Sequence, residues 1–157
     1  MNVSRRSFLK NAGNAGALAA ALAAGLVKPS QVLAAEWNKA AFTATKLDEG
    51  LRAMGLTGAV ESKDIVFKNL PDIAENGAVV PVEVESRIPG TQSITLVIDT
   101  NLNPVCSTYE FSNGALGYIH TRVKMAKTSR VRAMVKAGGK VYQASKEVKV
   151  TLGGCGG

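Results

Sequence analysis

The chain has 157 residues, of which 19 are basic and 12 are acidic, giving a formal net charge of +7. Residues 1–34 hold four of the basic residues and no acidic ones, so without them the formal charge falls by four to +3. A charge this small does not indicate nucleic-acid binding. One histidine and two cysteines are too few for a structural zinc site, and no motif marks a Ser-His-Asp set. We therefore predict no metal centre and no enzyme active site.

Residues 1–34 have the three parts of a twin-arginine export signal. Arg5 and Arg6 lie within the sequence Ser-Arg-Arg-Ser-Phe-Leu-Lys, an apolar run follows over residues 12–27, and Val32-Leu33-Ala34 fits a cleavage site. The apolar run is short and rich in Ala and Gly rather than Leu, so it does not indicate a transmembrane anchor. We expect a mature protein without a membrane span that folds in the cytoplasm and works in the periplasm.

The segment from Glu36 to Met54 has the residue spacing of a helix. Its apolar residues recur at three- and four-residue intervals, at Trp37, Ala40, Ala41, Ala44, Leu47, Leu51 and Met54. Gly55 follows as a natural helix stop. We predict one N-terminal helix whose apolar face packs onto the domain or onto a partner.

From residue 63 onward the pattern changes to short strands separated by turn residues. The predicted strands are Ile65–Leu70, Val79–Ser86, Ser93–Asp99, Val105–Phe111, Tyr118–Lys124, Ser129–Lys136 and Lys140–Leu152. Seven short strands at this spacing predict a mainly β fold, an immunoglobulin-like antiparallel β-sandwich over residues 35–152. Gly138-Gly139 fits a two-residue hairpin turn, and Pro81 inside a strand predicts an edge position.

Positive charge is concentrated between residues 122 and 149. The basic residues there are Arg122, Lys124, Lys127, Arg130, Arg132, Lys136, Lys140, Lys146 and Lys149, against the single acidic residue Glu147. Many of them alternate with apolar residues, which is typical of a solvent-facing sheet surface. The functional alternative is attraction of a small anion or an acidic partner near the C-terminal tail.

The chain ends in Gly153-Gly154-Cys155-Gly156-Gly157. Glycine samples positive φ freely, so we predict that residues 153–157 form a flexible arm. At about 3.3–3.6 Å per extended residue, the Cys155 thiol can stand roughly 10 Å beyond the last strand. The alternative is a frayed tail whose cysteine has no role.

Cys106 is the second cysteine and lies in a predicted strand. In an oxidising compartment two cysteines can form a disulfide, and closing a loop of about 50 residues stabilises a fold by a few kcal/mol. Such a bond would immobilise the glycine-rich arm. We therefore favour a buried thiol at Cys106, since free cysteine often packs as a small hydrophobe.

Three segments of the mature chain resemble the SoxY family of the bacterial sulfur-oxidising (Sox) system. Residues Ile73–Gly77 followed by Val80–Val82 resemble the first hairpin of that family, and Thr121–Ala126 resembles its TRIRLA-type strand. The ending Glu147–Gly157 matches almost letter for letter and is the most specific of the three. Cys106 departs from the family pattern.

The resemblance implies a carrier function rather than an enzyme. SoxY-like proteins pair with SoxZ as a heterodimer and hold sulfur intermediates covalently on the tail cysteine, here Cys155. A haem-bearing partner, SoxAX, joins thiosulfate to the cysteine, and SoxB hydrolyses the product to a persulfide. A sulfur dehydrogenase then acts on the persulfide in some organisms. No resident cofactor is implied.

Two other functions fit parts of the sequence. Ubiquitin-like sulfur carriers also end in Gly-Gly, but they bear sulfur as a C-terminal thiocarboxylate and act in the cytoplasm. A secreted sandwich protein crosslinked through Cys155 is the other candidate. The export signal disfavours the first of these, and replacing Cys155 with serine separates all three.

Overall fold

The computed structural model describes residues 37–152 of the chain. Within residues 37–152, two helices precede the strands, α1 (Lys39–Thr43) and α2 (Leu47–Ala53). Nine strands follow: β1 (Val60–Glu61), β2 (Ile65–Asn69), β3 (Ile73–Asn76), β4 (Val80–Ser86), β5 (Thr91–Ile98), β6 (Val105–Glu110), β7 (Tyr118–Val123), β8 (Ser129–Ala137) and β9 (Lys140–Leu152). The predicted export signal with Arg5 and Arg6 lies outside the described residues. None of the described helices is long and apolar enough to cross a membrane.

The strands form two sheets. The larger has the order β1-β9-β8-β5-β6, with β3 also paired to β9, and the smaller has the order β2-β4-β7. The prediction of a mainly β, immunoglobulin-like sandwich is confirmed, and all seven predicted strands are present. One part needs correction, because β1 and β3 are additional strands and both pair with β9 in parallel rather than antiparallel.

The hydrophobic core lies between the two sheets. The larger sheet contributes Ile94, Leu96 and Ile98 from β5, and the smaller sheet contributes Val82 and Val84 from β4, all fully buried. In β4 each buried valine is followed by a half-exposed residue, which is the pattern of a strand with one face on the core. Burying one such side chain contributes about 1.5–3 kcal/mol, so this alternation largely determines how the sheets pack.

A second, smaller cluster covers the outer face of the larger sheet. Leu56, Val97 and Met134 are its buried members, and residues of α2 and its flanks pack against them, including Leu47, Leu51 and Met54. The apolar helical face therefore packs onto the domain, which is the first of the two predicted possibilities. As a result β5 is buried on both faces from Ser93 to Ile98.

The predicted single helix is in fact two short ones. Ala44 leaves the helical conformation with ψ 132°, and Lys46 is extended before α2 begins. Asn38 joins the pair, because its side-chain oxygen caps the Ala41 amide at 3.1 Å and its Nδ2 donates to the Ala53 carbonyl at 2.8 Å. The break folds α2 back onto α1, which a continuous helix could not do.

The predicted glycine turn is present, but the predicted edge position of Pro81 is not. The Gly138-Gly139 hairpin is confirmed, with φ values of 56° and 74° in the left-handed region that favours glycine. The edge prediction from Pro81 is wrong for the strand as a whole, because β4 lies between β2 and β7. The pairs of β2 end at Glu83, so no β2 residue lies opposite Pro81 and its missing N–H removes no bond there.

Candidate functional site

The residues predicted to carry the chemistry lie outside the described part of the chain. These are Cys155 and the arm glycines Gly153, Gly154, Gly156 and Gly157. What the structure describes is the support for them, because β9 ends at Leu152, directly before Gly153.

The last four residues of β9 are held by a different partner from the rest of the strand. Residues 140–148 pair with β8, whereas Lys149–Leu152 pair with β3. The Lys149 amide donates to the Asp72 carbonyl at 2.9 Å, and the Leu152 carbonyl accepts from the Gly77 amide at 2.8 Å. The strand is thus paired up to its final described residue.

The other edge of this strand end is also bonded. The Val150 amide donates to the Thr128 hydroxyl at 3.0 Å, and the Thr151 hydroxyl donates to the Glu75 carbonyl at 3.0 Å. Val150 therefore bonds to the loop before β8, and Thr151 adds a side-chain bond to β3. The strand end is fixed from both sides before the chain enters residue 153.

Gly77 connects the end of β9 with the smaller sheet. Its amide binds the Leu152 carbonyl, and its own carbonyl accepts from the Met125 amide at 2.7 Å, just after β7. Asn76 sets up this position, because its side-chain oxygen accepts from the Ala78 amide at 2.8 Å and closes a local turn. Both sheets of the sandwich therefore meet at the base of the predicted arm.

A lysine further back on β9 fixes the segment before β3. Lys146 Nζ donates to the Leu70 carbonyl at 2.6 Å and lies 2.9 Å from the Asp72 carboxylate. This contact holds the residues that lead into β3 against β9. Sequence reasoning placed Lys146 on a solvent-facing surface, since nothing in the local pattern shows a partner 74 residues away.

The basic run separates into two groups. Arg132 binds both oxygens of Asp99 at 2.7 and 2.8 Å, Lys136 donates to the Met54 carbonyl at 2.6 Å, and Lys146 is bound as above. The remaining six are exposed: Arg122, Lys124, Lys127, Arg130, Lys140 and Lys149. The solvent-facing interpretation therefore holds for these six. Arg132, Lys136 and Lys146 instead bind other groups of the domain.

Cys106 is a half-buried free thiol. The pairs of β5 and β6 pass from Leu96↔Ser107 to Val97↔Val105, so Cys106 is the extra residue of a β-bulge. It packs against the main core and donates to the Pro104 carbonyl at 3.4 Å. Cys106 therefore lies at the edge of the core rather than inside it, and burial raises its pKa to about 11 despite hydrogen bonds from Ile98 and Asn101.

The described residues offer no second site of obvious chemistry. Across 37–152 no three His, Cys, Asp or Glu side chains come close enough together to hold a metal ion. His120 lies exposed on β7 opposite Glu83, as a surface histidine would. The functional feature that sequence reasoning missed is Gly77, whose Asn-Gly turn signal was visible but whose contact with Leu152 was not.

Comparison with known proteins agrees with this geometry. The family model described as sulfur oxidation protein SoxY matches residues 52–155, a range that includes Cys155. The solved structure of the sulfur carrier protein SoxY from Chlorobium limicola f thiosulfatophilum has 38% sequence identity and a TM-score of 0.59. That comparison covers 68% of this chain and 97% of the other.

Two superoxide reductases (neelaredoxins) from Ignicoccus hospitalis also match, at 17% and 18% identity and TM-scores of 0.48 and 0.47. They cover 63% and 55% of this chain, and 86% and 78% of their own chains. The curated proteins contain no significant match. The family match spans well over half of the chain, and the Chlorobium structure shares its fold over nearly its own whole length. The chain therefore belongs to the SoxY family of sulfur oxidation proteins.

Proposed function

We propose that the protein is a periplasmic carrier that holds thiosulfate-derived sulfur covalently on Cys155 and presents it to sulfur-oxidising enzymes. The observation that carries this proposal is the family match through residue 155 together with the ending Gly-Gly-Cys-Gly-Gly. The fixed end of β9 at Leu152 supports it, because it provides a firm base for a short arm. The carrier itself supplies no catalytic group.

The proposed loading step is an oxidation. The Cys155 thiol loses its proton, its sulfur bonds to the sulfane sulfur of thiosulfate, and the haem-bearing partner SoxAX takes up two electrons. The product is a cysteine S-thiosulfonate, Cys–S–S–SO₃⁻. An exposed cysteine has a pKa of about 8.5, so a useful fraction is already the reactive thiolate near neutral pH.

The second step releases sulfate. Water cleaves the bond between the sulfane sulfur and the sulfonate under catalysis by SoxB, which leaves a persulfide on Cys155. A sulfur dehydrogenase oxidises that persulfide further where the organism has one. In this scheme the carrier needs no resident cofactor, because each partner enzyme supplies its own chemistry.

The proposed constitutive partner is SoxZ, as a heterodimer. A small protein without a cofactor has little need to be exported in a folded state, so we propose that it crosses the membrane already bound to a partner that has no signal of its own. Replacing Arg5 and Arg6 with lysine is then expected to leave both subunits in the cytoplasm. Fractionation followed by immunoblotting measures this, and periplasmic SoxZ in that strain would refute export as a pair.

The direct test of the carrier function is intact mass spectrometry. The protein is purified without reductant from cells that are oxidising thiosulfate, and the same sample is measured after reduction. We expect reducible additions of one or more sulfur atoms, or of –S–SO₃⁻, and peptide mapping is expected to place them on Cys155. An unmodified thiol, or a chain that bears only a Cys106–Cys155 disulfide, would contradict the proposal.

The two alternatives have their own mass signatures. In a thiocarboxylate carrier one oxygen of the C-terminal carboxyl group is replaced by sulfur, so the mass rises by the difference between these two atoms and Cys155 stays unmodified. A crosslinked secreted protein gives dimers that collapse on reduction without any sulfane sulfur. Neither alternative predicts a reducible monomeric adduct on Cys155.

A further inference from the structure

The length of the arm restricts where a partner enzyme can bind. Cys155 is the third residue after Leu152, so the chain lets it reach at most about 10 Å beyond the end of β9. An enzyme that acts on Cys155 must therefore bring its own surface against the end of the domain from which β9 emerges. This inference rests on the proposed function, since it takes Cys155 as the group acted upon.

That end of the domain is called the arm pole here. It consists of residues 76–79, 99–104 and 124–128 and Leu152, which are the β3–β4, β5–β6 and β7–β8 connections and the last residue of β9. They form a continuous surface. The Gly77 amide and carbonyl bind Leu152 and Met125, and the Asn101 side chain binds the Lys124 carbonyl at 2.8 Å and the Ala126 amide at 3.1 Å.

The arm pole combines exposed apolar side chains with positive charge. Leu152, Leu102 and Val79 are 69%, 76% and 56% exposed. Lys124 and Lys127 are exposed, and neither forms an ion pair with any residue between 37 and 152. The one carboxylate of the pole, Asp99, is neutralised by Arg132. The arm pole therefore has both a net positive charge and exposed aliphatic side chains.

We propose that the arm pole is the docking surface for the haem enzyme that loads thiosulfate onto Cys155, and that it fits an enzyme whose active-site entrance is apolar and rimmed by carboxylates. Complementary charge at the rim of an interface chiefly raises the association rate, and the effect weakens with salt. The aliphatic side chains supply area that is buried on contact. Because hydrogen bonds already order the loops, little entropy is lost when the partner binds.

The test is charge reversal in the full-length protein bound to its constitutive partner. The double variant Lys124→Glu/Lys127→Glu is compared with wild type for the rate at which the haem enzyme loads thiosulfate onto the tail, at 20 and 300 mM salt. We expect about a tenfold loss of kcat/KM at low salt and a much smaller difference at high salt, in line with the range for electrostatic steering. The neutral variant Lys124→Gln/Lys127→Gln is expected to fall between the two.

Lys140→Glu is the control for position, because Lys140 is also exposed but lies in the β8–β9 hairpin at the opposite pole. Labelling of Cys155 by a small alkylating reagent is expected to proceed at the same rate in every variant. Wild-type loading in the double variant at both salt concentrations, or an equal loss in Lys140→Glu, overturns the docking surface alone. Failure of the wild-type protein to load at all overturns the carrier function, and the docking surface with it.

Discussion

Replacing Cys155 with serine is expected to abolish sulfur loading and thiosulfate oxidation completely. A serine hydroxyl is not ionised near neutral pH and cannot form the S–S bond that the proposed loading step requires. The measurement is thiosulfate-dependent oxygen uptake by cells that carry the variant as their only copy, together with the intact mass of the purified protein. We expect no uptake above the level of the deletion strain and no reducible adduct.

The matched control is Cys106→Ala. Cys106 packs at the edge of the core in a β-bulge, so its removal is expected to lower the free energy of unfolding modestly while leaving loading intact. Loading that persists in Cys155→Ser, or that disappears in Cys106→Ala while the domain remains folded, would show that Cys106 and not Cys155 takes up the sulfur. The pair of variants thus distinguishes the carrier thiol from the structural one.

The second large effect concerns the reactivity of the two thiols. Burial favours the neutral thiol and raises the pKa of Cys106 to about 11, so the thiolate fraction becomes large only as the pH approaches that value. Against an exposed cysteine at about 8.5, the thiolate fraction near pH 7.5 is lower by roughly 300-fold. The more basic thiolate is more nucleophilic by about tenfold, which leaves Cys106 slower by about 30-fold.

This difference is measured by alkylation with iodoacetamide, followed by peptide mass spectrometry over pH 6 to 10. The Cys155→Ser and Cys106→Ala variants report each thiol separately in a folded domain. The rate for the tail thiol is expected to level off above about pH 9, whereas the rate for Cys106 keeps rising. Equal rates at pH 7.5 would show that the bulge opens to solvent and exposes Cys106.

The strands that could be predicted from the sequence are those with a local signal. All seven have alternating or continuous apolar residues between turn residues, as in β4 and β5, and the alternation encodes the buried face directly. β1 and β3 have only two and four residues, and both lie along β9. They exist because β9 is available to pair with, and pairing across some 75 residues leaves no trace in a local pattern.

The division of the N-terminal helix has a similar explanation. The apolar spacing from 40 to 54 fits one continuous helix, and the cost of an interior glycine at position 50, about 1 kcal/mol, is too small to break it alone. Packing decides otherwise, since a Cβ at Gly50 would lie 3.0 Å from Val105 and 3.7 Å from the Ala44 side chain. Glycine at this position lets α2 approach both β6 and α1, and the connection between the helices unwinds to allow it.

The sequence predicts which residues form the candidate site, but it does not predict the contacts that hold them in place. The tail pattern predicts Cys155 as the attachment residue, and that prediction is independent of the three-dimensional structure. The role of Gly77 in fixing Leu152, and the separation of bound from exposed lysines, depend on contacts between distant segments. The run of basic residues therefore looked uniform in sequence, although Lys146 and Lys124 have different surroundings.

The pairing at the end of β9 also determines how the domain resists a pull on its tail. The hydrogen bonds of β9 to β8 and β3 run across the direction of the strand. A force drawn along β9 from Leu152 therefore loads these bonds in shear, all at once, instead of peeling them apart singly. Through Gly77 the tension also passes into the smaller sheet. The hydrogen bonds at the end of β9 therefore let the sandwich bear tension on Leu152 without unravelling strand by strand.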